Sequence, residues 1–162
     1  MSRNSSREAL LQALIDEIRG GQRATELVDE AMCKLMGVNR TDGRCLDILE
    51  QRGRIGAGEL AAEARLTSGA VTAVIDRLEE AGYARRMPDP NDRRRVLVEP
   101  TEGAYAVAEE LMGPLGEMGS PKASAYTDEQ LALLVDFQRF SRELQENHAE
   151  WLRARLREQE GS

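Results

Sequence analysis

The chain is short of the residues that most catalysis and most covalent stapling depend on. It has one histidine, two cysteines, one tryptophan, three tyrosines and two phenylalanines among 162 residues. His148 lies in a polar stretch, and no His/Cys/Asp group has metal-ligand spacing. Cys33 and Cys45 are too few for a disulfide framework. The glycine-rich run Gly53 to Gly58 lacks the Lys-Ser/Thr ending of a phosphate loop, and no serine has a plausible base. No apolar run approaches membrane-spanning length, and the opening MSRNSSREALLQ lacks a signal-peptide core. These absences predict a cytoplasmic protein with no membrane span, no metal, no cofactor and no enzymatic activity.

What is there favours helices. Ala, Leu, Glu and Arg dominate, and 162 residues suffice for one domain with a sizeable core. The net charge of -7 is unevenly spread. From Arg52 to Pro100 nine Arg face eight Asp or Glu, so that stretch is +1 and the remainder is -8. An acidic body with a local basic edge excludes a protein that coats nucleic acid indiscriminately.

The basic edge lies in Leu66 to Thr101, LTSGAVTAVIDRLEEAGYARRMPDPNDRRRVLVEPT. Thr67 and Ser68 can each cap a helix that begins here, through Gly69 and Ala70. Val71, Val74, Ile75 and Leu78 follow at the spacing of one buried stripe, and Gly82 suits a left-handed helix end. The outer face carries Gly69, Thr72, Ala73, Asp76 and Arg77. Those side chains are mostly short, so the backbone can approach base edges, and the free N–H groups of the first turn favour phosphate. An ordinary amphipathic helix packed on a core has the same pattern, so the neighbours decide.

Tyr83 to Met87 and Val96 to Glu99 read as strands, joined by the turn formers Pro88-Asp89-Pro90-Asn91-Asp92. Arg85 and Arg86 sit on the first strand, and Arg93, Arg94 and Arg95 at the mouth of the loop. Alone, such a run is a solvated charge cluster. Directly after a recognition-type helix, phosphate or minor-groove contact is the better reading. Upstream, Thr41 is the expected cap of a helix to about Gln51, with Cys45, Leu46, Ile48 and Leu49 apolar and Gly53 at its end. Ile55 can add a third strand, and Gly58 to Arg65 a short helix with Leu60, Ala61 and Ala64 inward. Two helices joined by a tight turn, followed by an arginine-tipped hairpin, describe a winged helix-turn-helix.

The flanks carry further apolar stripes. Leu11, Leu14, Ile15 and Ile18 share a face that Gly20-Gly21 interrupts before Leu27, Val28, Ala31, Met32 and Leu35 resume it, as one kinked helix or two. Thr101 opens a helix that Gly113, Pro114, Gly116, Gly119 and Pro121 are expected to break. Thr127 to Gln130 is a capping box ahead of a long last helix through Leu131, Leu134, Phe140, Leu144, Trp151 and Leu156. These stripes exceed what one small lobe can cover, which predicts a two-fold homodimer rather than an intramolecular bundle.

Thr41 to Gly103 resembles the DNA-binding lobe of the MarR family. The resemblance rests on ELAAEARLTSGAVTAVIDRLEEAGYARR, on DPNDRRRVLV and on the trailing PTEGA. The family's D-x-R wing turn is matched by Asp92-Arg93-Arg94; its Leu-Thr after the wing is Pro100-Thr101 here, and a common basic position is Ala73. The resemblance implies a fold that is mainly α with a small antiparallel β wing: a winged helix-turn-helix lobe plus interleaved terminal dimerisation helices. It divides the chain into an N-terminal dimerisation region at 1–40, the lobe at 41–103 and C-terminal dimerisation helices at 104–162. It implies a dimeric regulator of transcription, a repressor of a palindromic double-stranded operator, released by a small-molecule effector between the dimer helices and the lobe. DNA-contacting residues would be Thr67, Ser68, Gly69, Ala70, Thr72, Ala73, Arg77, Arg85, Arg86, Arg93, Arg94 and Arg95, with Asp92 orienting the wing. Some relatives sense oxidants through a cysteine, but Cys33 lies late in the first helical region and Cys45 on an apolar face. A winged-helix module that binds protein instead of DNA is the alternative, favoured by the acidic body and by Ala73.

Overall fold

The computed structural model describes residues 3–92 and 95–160. Nine elements occur among them, in order α1 (Arg3–Met36), α2 (Arg40–Arg52), β1 (Ile55–Gly56), α3 (Ala57–Ala64), α4 (Ser68–Glu80), β2 (Ala84–Pro88), β3 (Val96–Pro100), α5 (Glu102–Ala123) and α6 (Asp128–Glu160). The chain divides into two compact units, Met1–Gly113 and Pro114–Ser162.

In the first unit, α2, α3 and α4 pack around one core closed by a three-stranded antiparallel sheet of order β1-β3-β2. Ile55 pairs with Val98, and Arg86 pairs with the same residue from the other side, so β3 is the central strand. The core consists of the expected stripes: Cys45, Leu46 and Leu49 from α2, Leu60, Ala61 and Ala64 from α3, and Val71, Val74, Ile75 and Leu78 from α4. Ile55, Ala84, Val98 and Ala104 complete it, and Ile48 is only partly buried against its edge.

Two local expectations shift, at α2 and α5, and the open choice at α1 is resolved. The cap of α2 is Asn39, not Thr41: its Oδ1 accepts from Thr41 N at 2.9 Å and Asp42 N at 3.0 Å. Asparagine two residues earlier reaches the same orphan donors, so Thr41 falls inside the first turn. α1 runs as a single helix through Gly20 and Gly21, because two glycines cost only about 1 kcal/mol each in a helix of this length. α5 also runs on through Pro114 and Pro121. Each proline removes one bond to the carbonyl four residues back, on Glu110 and Glu117, and both of those residues are exposed, so water can take the freed oxygen.

In the second unit, α6 starts as the capping box predicts. Thr127 N donates to Gln130 Oε1 at 2.9 Å, and Gln130 N donates to Thr127 Oγ1 at 3.3 Å. No helix among the described residues is long and apolar enough to cross a membrane.

Candidate nucleic-acid interface

α3 ends at Arg65, whose φ of 56° places it in the left-handed region. Leu66 N donates back to Ala61 O at 2.8 Å, which closes the turn. The chain then enters α4 through Thr67, whose Oγ1 accepts from Ala70 N at 3.2 Å. Of the two proposed caps Thr67 serves, and Ser68 becomes the first helical residue. Burial of Val71, Val74, Ile75 and Leu78 fixes the rotation of α4 and leaves Ser68, Gly69, Ala70, Thr72, Ala73, Asp76 and Arg77 outward. The Thr72 hydroxyl donates to Ser68 O at 2.9 Å, and the residue is exposed. Gly82, with φ of 77°, ends the helix as expected and turns the chain into β2.

The arginines around this face are not equally available. Arg77 is bound to Asp42 through two bonds, Nε to Oδ2 at 2.9 Å and a terminal nitrogen to Oδ1 at 2.5 Å. That hydrogen bonding raises the guanidinium pKa further. Arg86 holds Glu79 through both its backbone N–H and its guanidinium, and holds Asp76 at 2.6 Å. Arg85 and Arg54 share the buried Glu99, at 2.5 and 2.7 Å. These bonds hold the Glu99 carboxyl below its ordinary range. Arg85 keeps a side chain 66% exposed and remains directed to solvent.

The wing is braced at its base. Asp89 N donates to Arg95 O at 3.1 Å, and Arg95 N donates to Asp92 O at 2.9 Å. Asp89 is nearly buried and accepts from Asn91 N at 2.8 Å. The Arg95 guanidinium lies 3.8 Å from Asp89 and 3.4 Å from Glu59. Arg93 and Arg94 lie outside the described residues, so the proposed orientation of Arg94 by Asp92 has no geometry to set beside it.

Sequence reasoning missed the carboxylates that engage four of the proposed DNA-binding arginines, Arg77, Arg85, Arg86 and Arg95. Asp76 and Glu79 carried a signal, since they lie on the last turns of α4 opposite β2. Glu99 carried one for Arg85, its cross-strand partner in the hairpin, but none for Arg54, and Asp42 carried none for Arg77, because those pairs are distant in sequence.

Beside the helix-turn-helix, within the first unit, lies a cavity of about 720 Å3. Met32 and Met36 of α1, Leu46 of α2, Leu66 of the turn and Met112 of α5 give it apolar walls, and its charged lining is balanced, with Arg40, Arg44 and Arg65 against Asp29, Asp47 and Glu50. Glu50 is half-buried at its edge, and burial pushes that carboxyl up. Burial likewise pushes the thiols of Cys33 and Cys45 up, so neither is held as the reactive thiolate. No group of His, Cys, Asp and Glu able to hold a metal occurs among the described residues.

This arrangement of helix, turn, helix and wing is shared with proteins of known kind. A family model described as MarR family matches residues 38–96. The HTH-type transcriptional regulator YcgE of Bacillus subtilis, itself uncharacterised, is 36% identical over 153 residues, spanning 94% of this chain and 99% of that protein. The chain belongs to the MarR family. MarR-family members are DNA-binding transcriptional regulators, not enzymes. The crystal structure of apo MarR from E. coli is similar with a TM-score of 0.55 at 26% identity, covering 81% of this chain and 95% of that one. The structure of NadR in complex with 4-hydroxyphenylacetate shares the fold, with a TM-score of 0.55 at 24% identity over 74% of this chain and 87% of that one.

Proposed function

We propose that this MarR-family regulator is a homodimeric repressor that binds a palindromic operator and is released by a small molecule held in the cavity beside the helix-turn-helix. The observation that carries the reading is the place of that cavity: Arg65 and Leu66, which line it, lead directly into α4. A ligand there acts on the entry to the recognition helix. Methionine and leucine on its walls suit a partly apolar molecule, an arginine among its balanced charges can meet a carboxylate, and NadR, of the same fold, is solved in complex with 4-hydroxyphenylacetate.

In this reading Thr67, Ser68, Gly69, Ala70, Thr72 and Ala73 enter the major groove. Arg93, Arg94 and Arg95 meet the adjacent minor groove, Asp92 orients them, and Arg85 and Arg86 flank the backbone. Dimerisation through the terminal regions at 1–40 and 104–162 sets the spacing of two recognition helices, which a palindrome mirrors. The test is selection of bound sequences from a random duplex pool. Two inverted half-sites about one helical turn apart are expected; an asymmetric consensus overturns the two-fold reading. On the selected duplex, Arg94→Ala is expected to weaken binding by ~1–3 kcal/mol, measured by titration at several salt concentrations.

A further inference from the structure

Asp42 is the most buried charged residue among those described, 1% exposed, and a DNA-contact reading gives it no task. It stands on the first turn of α2 and accepts from Asn39 Nδ2 at 2.7 Å. Its two oxygens also accept the two bonds from Arg77 of α4. A bidentate pair fixes the plane of the guanidinium as well as its position, so it acts as a clamp rather than as a loose attraction. Because the carboxylate is buried, it has no solvent to exchange for this partner.

The rest of that α2 turn faces elsewhere. Arg40, Thr41, Gly43 and Arg44 line the cavity. Gly43 approaches α1 so closely that an added Cβ would stand 2.6 Å from Cys33 Sγ. One helical turn thus bears the anchor of the recognition helix and the wall of the cavity together.

We propose that Arg77 is a positioning residue, which through Asp42 locks α4 to the first turn of α2 and carries displacements of that turn into the recognition helix. The proposal goes beyond the effector reading and does not need a ligand, since a substitution can move the turn.

The experiment uses the full chain and a duplex selected from the random pool, titrated at several salt concentrations. Each variant is checked by thermal unfolding to be folded at the assay temperature. Asp42→Asn, Arg77→Gln and their combination are each expected to weaken binding by about three- to thirtyfold, the double no more than the worse single. The salt slope is expected to stay that of the wild type. Arg77→Lys is expected to lose nearly as much as Arg77→Gln, because an ammonium cannot make the two parallel bonds, whereas at a phosphate a point charge serves. Gly43→Ala, which wedges α2 from α1, is expected to weaken binding in the wild-type background and to have less than half that effect, as a fold-change, in the double variant. Wild-type binding by Asp42→Asn overturns the proposal. So does a salt slope reduced by about one unit in Arg77→Gln, the mark of a lost phosphate contact. An equal effect of Gly43→Ala in both backgrounds overturns the transmission.

Discussion

Leu78 of α4 and Leu133 of α6 are the same residue on two amphipathic helices, yet Leu78 is fully buried and Leu133 is 70% exposed. The contrast holds between whole regions. Among the described residues, every buried apolar side chain lies between Cys45 and Ala104. α1 leaves Leu10, Leu11, Leu14, Ile15 and Leu27 exposed, and α6 leaves Leu134, Val135, Phe140, Leu144 and Trp151 exposed. The lobe covers itself because three short helices and a sheet present their stripes to one point. A long helix presents its stripe along a line, and the single chain does not cover that line. Each large apolar side chain brought under cover contributes about 1.5–3 kcal/mol, so the terminal helices hold a large stabilisation that one chain alone does not use.

The widest break in this comparison comes from removing one side of it. Truncation after Gly119 deletes α6 and is expected to convert a dimer at micromolar concentration to a monomer, read by sedimentation. An untruncated chain that sediments as a monomer would show that the terminal stripes have no partner.

A finer comparison sets Leu78→Ala beside Leu134→Ala. The first opens a cavity in a closed core and is expected to cost ~2–5 kcal/mol in denaturant unfolding at any protein concentration. The second is expected to cost less, and by an amount that changes with protein concentration, because its cover would come from a second chain.

The lobe's buried ion pairs give a smaller, pH-dependent effect. Arg54 and Arg85 hold the Glu99 carboxyl below its ordinary value of 4.5. Its contribution is therefore present above that value and lost as pH falls through the lowered, folded-state one. Glu99→Gln is expected to be less stable at neutral pH and to lose less on acidification than the wild type. Denaturant unfolding across pH 3 to 7 checks this; parallel curves would mean that the two arginines do not engage Glu99. The smallest effect is expected at Arg65. Glycine there relieves the left-handed backbone but adds unfolded-state freedom, so Arg65→Gly is expected to shift stability by less than ~1 kcal/mol, read by the same unfolding.

Much of this contrast was legible in the residues. The stripe Val71, Val74, Ile75 and Leu78, the cap at Thr67, the turn at Gly82 and the capping box at Thr127 depend on neighbours within a few positions. So does the exposure of Thr72 and Ala73 opposite that stripe. The cap at Asn39 and the continuity of α5 through Pro114 were not legible, because each was a local contest between nearly equal choices. Thr41 and Asn39 are both good caps, and a proline within a helix can bend it without ending it, where water takes the freed carbonyl and the turn gives way to the ring.

The sequence by itself determined the lobe's elements, its wing and the small outer face of α4, since periodicity and turn chemistry are short-range properties of the chain. Only the tertiary structure decided which arginines point to solvent and which are held. Asp42 meets Arg77 across 35 positions, and Glu99 meets Arg54 across 45, only once α2, α4 and the sheet have packed. An arginine on an outer face looks alike in sequence whether it faces solvent or grips a carboxylate. The difference is a matter of which backbone is brought beside it, and that is set by the burial of side chains elsewhere in the core.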